Sequence, residues 1–180
     1  MTRALLIVDI QLDYFDGGAF PLVGPDAAAA AARSVLDGFR ASGEPIVHIF
    51  HVSTEAEAPF FVKGTPGIEI HPLVAPVGDE IVLEKHEPNS FIETGLQQVL
   101  TDEGVTELVV VGMMSSMCID STTRAASELG FEVTVVSDAC AAPDLTFGDT
   151  VIPGATVHAS FMAALDGSFA TVLTSGELQN

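Results

Sequence analysis

The sequence is short of positive charge. Six Lys and Arg stand against 25 Asp and Glu, and 6 minus 25 leaves a formal net charge of −19 over 180 residues. A surface of that sign repels phosphate backbones and anionic lipid heads, which argues against nucleic acid and membranes as partners. Long apolar runs are missing too, since none approaches the roughly 18 residues that a membrane span needs. The run from Ala4 to Val8 is shorter than a secretory h-region of about 7–15 residues, and Asp9 interrupts it. Two cysteines make no disulfide framework. Neither a Gly-x-Gly-x-x-Gly nor a Walker-type Gly-Lys-Ser/Thr sequence is present, so nucleotide binding has no motif support. The expectation is one cytoplasmic domain over residues 1–180, with 48% apolar residues to build its core. The scarcity of lysine fits a high-salt habitat and the coding bias of a GC-rich genome equally.

What is there alternates between two periods. Leu5–Ile10, Pro45–Val52, Glu80–Glu84, Leu108–Gly112, Phe131–Ser137 and Phe169–Thr174 read as strands, the first almost wholly apolar. Asp26–Ala41, Glu93–Glu103, Cys118–Leu129 and Thr156–Leu165 read as helices, with Gly130 at the C′ position of the third. Strands separated by helices predict an α/β domain with a mainly parallel sheet and right-handed crossovers. The connection from Ser53 to Gly78 is longer than usual, which marks it as a cover for a site or a subunit contact.

In open α/β sheets the ligand crevice lies beyond the carboxyl ends of the strands. Three reactive side chains fall there. Cys118 opens the helix after the fourth strand, where free N–H groups and the helix dipole favour a thiolate and could bind an oxyanion. Asp120 opposes this with its own charge, but Arg124 lies four residues on and could neutralise it. Lys85 follows the third strand and would stabilise a thiolate beside it. Asp9 closes an apolar run, a place where packing gives no reason for an unpaired carboxylate. Together they make a base, a cation and a nucleophile, the set used for covalent catalysis.

The segments Leu-Leu-Ile-Val-Asp9-Ile-Gln11, Glu84-Lys85 and Val-Val-Gly112-Met-Met-Ser-Ser-Met-Cys118-Ile-Asp120 resemble the isochorismatase-like cysteine hydrolases. Gly64-Thr-Pro-Gly67, Pro88-Asn-Ser90 and Val157-His158 extend the match over nearly the whole chain. That superfamily includes nicotinamidases, N-carbamoylsarcosine amidases, ureidoacrylate amidohydrolases and the streptothricin lactam hydrolase. The resemblance implies a three-layer α/β/α fold with six mainly parallel strands in the order 3-2-1-4-5-6. It implies an Asp-Lys-Cys triad on Asp9, Lys85 and Cys118, and a non-proline cis peptide at Met113–Met114. That peptide would aim the Met114 N–H, beside that of Cys118, into an oxyanion hole. It further implies a small amide or lactam substrate, no cofactor, and a homo-oligomer, dimer or tetramer. Vinyl-ether hydrolysis of isochorismate and a catalytically silent binding module on the same fold are the alternatives.

Gln11, Phe15, Phe60, Phe61, Met113 and Ser115 are the candidates for the substrate pocket. His86, beside Lys85, is read as a supporting residue, with pocket lining as its alternative. Nicotinamidases resemble a metal pattern of one Asp and two His, but this stretch reads His48-Ile-Phe-His51. Residues three apart on a strand face opposite sides, so no metal is expected, nor nicotinamidase activity. Cys140 reads as a packed structural thiol; a redox role would require its pairing with Cys118.

Overall fold

The computed structural model describes residues 2–55 and 57–178. Met1, Ala56, Gln179 and Asn180 lie outside the described residues, Ala56 within the long connection and the others at the ends of the expected domain. The order of elements is β1 (Thr2–Val8), α1 (Pro25–Ser42), β2 (Ile46–His51), β3 (Ile81–Lys85), α2 (Leu96–Asp102), β4 (Val105–Met113), α3 (Asp120–Glu128), β5 (Glu132–Ala141), β6 (Leu145–Phe147), β7 (Thr150–Ile152), α4 (Gly154–Leu165), β8 (Thr171–Leu173) and α5 (Ser175–Leu178).

Six strands form one parallel sheet in the order β3-β2-β1-β4-β5-β8. This is the expected 3-2-1-4-5-6 arrangement; the last strand is eighth in the chain because an antiparallel hairpin, β6–β7, precedes it. From Ala4 onward β1 is apolar because both of its faces are covered. Leu5 and Ile7 pack with Val109 and Val111 against Ala28, Ala32, Leu36 and Phe39 of α1. Leu6 and Val8 face the other way, onto Leu96, Leu100, Ile119, Ala126, Met162 and Leu165. Each such buried aliphatic side chain contributes about 1.5–3 kcal/mol of transfer free energy.

The central strands end at one edge. Val8 pairs with Ile49 and Gly112, and His51 pairs with Lys85. Between β1 and β4 the strand order reverses direction, which opens a crevice at their carboxyl ends. Gly112 is required there: its φ is +134°, and a Cβ would run into the Val8 carbonyl.

Three elements depart from the sequence pattern. β5 continues to Ala141 rather than stopping at Ser137, because it bulges: from Val110 to Gly112 β4 advances two residues while β5 goes from Val135 to Cys140. α2 starts at Leu96 instead of Glu93, since Glu93 and Gly95 both adopt positive φ and Thr94 Oγ1 accepts from the Leu96 N–H. The β6–β7 hairpin is turned by Gly148-Asp149, a two-residue hairpin signal that is easily overlooked in so short a segment. Among the described residues, no helix is long and apolar enough to cross a membrane.

Candidate active site

Asp9 is the first residue past β1. Its φ of 51° is left-handed, a conformation that Asp tolerates better than most side chains. Its N–H donates to the Ile49 carbonyl and its own carbonyl accepts from the Gln11 N–H, which fixes the turn. The carboxylate is fully buried, and neither oxygen receives a well-aligned hydrogen bond. What it has is an ion pair, Oδ2 to Lys85 Nζ at 2.7 Å.

Lys85 ends β3 with 1% of its surface exposed. Its ammonium meets four acceptors: Asp9 Oδ2, His51 Nδ1 at 2.8 Å, the Glu87 carbonyl at 3.1 Å and Cys118 Sγ at 3.2 Å. An ammonium has three hydrogens, so these four compete, and a sulfur that gains negative charge gains its share. Burial works against the charge on Lys85, but Asp9 and then Cys118 outweigh it and hold the group above its ordinary range. Burial pushes the Asp9 carboxyl up, and Lys85 pulls it only part of the way back.

Cys118 sits in a π-helical turn, Ser115–Ile119, that runs from the end of β4 into α3. The Met113–Met114 peptide is cis. The N–H groups of Met117 and Ile119 both donate to the Met114 carbonyl and tie the turn together. Behind it, Ser115 Oγ donates to the Ala141 carbonyl and lies 2.8 Å from His158 Nδ1. Arg124 holds Asp120 through paired contacts of 3.0 Å, as the spacing suggested. The expectation of a resting thiolate is corrected: burial, then the negative charge of Asp9, push the thiol well up, and Lys85 only partly opposes them. The resting set is a thiol beside an ion pair.

Cys118 borders a cavity of about 300 Å³, large enough for a small molecule. Tyr14, His51, Phe60, Phe61, His86, Met114 and Met117 share its wall, and residues 53–55 and 58–61 of the long connection close one side. Among the lining residues the charged side chains are Glu55 and Glu87; none is Lys or Arg.

A family model, the isochorismatase domain, matches residues 3–177. The chain belongs to the isochorismatase family. It is 49% identical over 175 residues to the uncharacterized isochorismatase family protein YddQ of Bacillus subtilis, covering 97% of each. It is 37% identical over 146 residues to a streptothricin hydrolase of Streptomyces noursei, covering 80% of this chain and 51% of that one. The crystal structure of a candidate isochorismatase hydrolase from Oleispira antarctica superposes with a TM-score of 0.95 at 48% identity, covering 98% and 95% of the two chains.

In this isochorismatase-family hydrolase Asp9, Lys85 and Cys118 meet at one point, and Phe60, Phe61 and Met114 stand on the cavity wall. Four pocket candidates lie off that wall. Gln11 is sealed: its Nε2 donates to the carbonyls of His51 and Ile68, and its Oε1 accepts from the His51 N–H. Its amide is a brace between loops. Phe15 lies on a neighbouring open cleft of about 770 Å³ and stacks on His71 at 4.1 Å. Met113 is fully buried beneath the turn, and Ser115 points back to β5. Several wall residues were missed, Tyr14, His51 and Met117 among them. The hydroxyl on an aromatic five residues past Asp9 was the signal for the first.

Asp9, His51 and Cys118 also present one donor atom each within 4.8 Å of one another, a geometry suited to a metal. The Lys85 ammonium stands 2.7, 2.8 and 3.2 Å from those donors, so the place of a cation is already filled by the chain. His48 points elsewhere, its Nε2 2.9 Å from Glu80 Oε2. Cys118 and Cys140 are separate buried thiols, and Cys140 donates weakly to the Val136 carbonyl.

Proposed function

We propose that this hydrolase cleaves the C–N bond of a small amide or lactam through a thioester on Cys118. The observation that carries the reading is the convergence of a buried carboxylate, a buried ammonium and a thiol, with only the sulfur reaching the cavity.

The chemistry follows from the resting protonation. The Asp9 carboxylate takes the proton of the Cys118 thiol as sulfur attacks the carbonyl carbon, and Lys85 stabilises the sulfur as charge grows on it. The carbonyl oxygen becomes an oxyanion, received by the N–H groups of Met114 and Cys118. Protonated Asp9 then gives its proton to the leaving nitrogen, the C–N bond breaks, and the amine departs. Water attacks the thioester with Asp9 again as base, and the thiol and a carboxylic acid are released. Lys85 keeps its proton throughout.

A dianion such as isochorismate is a poor match. All four arginines are held by carboxylates, Arg3 by Glu44, Arg33 by Asp37, Arg40 by Glu80 and Arg124 by Asp120, and none lines the cavity. The similarity to a streptothricin hydrolase supports hydrolysis, and a cavity whose charged lining residues are Glu55 and Glu87 suits an uncharged or cationic compound. The test is a panel of primary amides and lactams, followed by ammonia release and by the mass gain of one water, with pyruvate release from isochorismate as the second assay. Turnover of an amide or lactam that vanishes in Cys118→Ala is the expected result. Full activity in that variant, or pyruvate release alone, overturns the reading.

A further inference from the structure

The wall of the reaction cavity holds a polar group that the mechanism leaves unused. Tyr14, the chain's single tyrosine, is 1% exposed. Its ring packs on Phe61 at 4.7 Å, Phe60 at 5.8 Å and Phe20 at 6.4 Å. It also lines the cavity that Cys118 borders, and its hydroxyl makes no hydrogen bond among the described residues. The residue is buried, yet its hydroxyl is not among the buried polar atoms left without a partner, so it is the part of Tyr14 that opens to the cavity. The hydroxyl therefore points to a partner that arrives from the cavity.

Across the same wall, His51 stacks on Phe61 at 5.6 Å and turns Nδ1 toward the Lys85 ammonium. An ammonium can only donate, so the His51 proton sits on Nε2, which also has no partner among the described residues. Burial, with the negative charges of the Asp9 and Asp13 carboxylates adding to it, keeps the phenol protonated. It is a donor at any working pH.

Resting on the amide-hydrolysis reading above, we infer that the Tyr14 hydroxyl is a substrate-binding group that donates to an acceptor near the scissile carbonyl. The class of substrate this selects is an uncharged amide or lactam carrying a second acceptor, such as a ring nitrogen or a carbonyl oxygen. Phe60 and Phe61 supply the apolar surface for its flat part.

Aldehydes that form a hemithioacetal with Cys118 test this without turnover. The probes are the three pyridinecarboxaldehydes and benzaldehyde, each corrected for its affinity for free 2-mercaptoethanol. At least one pyridine isomer should bind the wild-type protein more tightly than benzaldehyde. Tyr14→Phe should erase about a 3- to 10-fold preference, the range of a single neutral hydrogen bond. Benzaldehyde affinity should stay put, and the urea midpoint should not fall, whereas a structural hydroxyl would lower it. Equal preference in Tyr14→Phe and the wild type overturns the inference and leaves the nucleophile intact. Failure of every aldehyde to label Cys118 overturns the nucleophile reading itself.

Discussion

His51 Nδ1 lies 2.8 Å from Lys85 Nζ, and the imidazole is the acceptor of that pair. One cation thus links the end of β2, the end of β3, the carboxylate after β1 and the sulfur before α3. The site is a junction of strand ends, held by a charge that belongs to the chain.

Alkylation and turnover should respond in opposite directions to loss of Asp9. Burial and the Asp9 charge both raise the Cys118 thiol. In Asp9→Asn the charge is gone, so the thiol ionises more readily and iodoacetamide labelling near neutral pH should accelerate several-fold. Amide turnover should fall by about a hundredfold or more, because the proton carrier is lost. Labelling that slows along with turnover would contradict the assignment of Asp9 as the group that holds the thiol protonated.

The Asp9–Lys85 pair should show strong coupling in stability. Lys85→Met leaves a buried carboxylate without its cation, and Asp9→Leu leaves the ammonium without its anion. Each single variant should lose about 3–5 kcal/mol in urea unfolding at neutral pH. The double variant should be less destabilised than the sum of the two, by about 1–3 kcal/mol. Simple additivity would mean that the two charges do not depend on each other.

His51 should make folding sensitive to mild acid. Burial, with Lys85 and His86 adding to it, lowers its pKa from 6.5 to about 4. Between those values the unfolded chain binds a proton that the folded chain refuses, so stability falls as pH drops from 6.5 toward 4 and is unaffected above that window. His51→Asn should flatten the pH dependence of the urea midpoint in this range relative to the wild type. An unchanged slope would place the proton uptake on other buried imidazoles, such as His48 and His158, whose pKa values burial also lowers.

Gly112→Ala should be severe for its size. The residue combines a φ of +134° with a Cβ position that collides with the Val8 carbonyl, and Val8 is its register partner on β1. The loss should be about 3 kcal/mol or more, with the β1–β4 seam protected less from amide exchange. A thermal midpoint within a degree or two of the wild type would show that the seam can part without cost.

The strand–helix alternation and the placement of Asp9, Lys85 and Cys118 at strand ends were legible because each follows from short-range signals, whereas the sheet order came only with the family resemblance. Apolar runs covered on both faces read as parallel strands, and a charged residue that closes such a run is seldom there for packing. The bulge in β5 and the delayed start of α2 were not legible, since positive φ at Glu93 and Gly95 and the pairing of Gly112 with Cys140 are set by neighbours distant in sequence.

The sequence alone determined which three side chains are available for the proposed chemistry, because composition leaves so few cations and thiols to choose from. Tertiary structure decided their state and surroundings. Helix position and a nearby lysine favour a thiolate on paper, but burial beside a carboxylate costs more than they return, and that balance depends on how completely the folded chain excludes water. Gln11 and Tyr14 make the same point: their polar atoms are alike in sequence terms, yet packing closes one off within the loops and leaves the other open to the cavity.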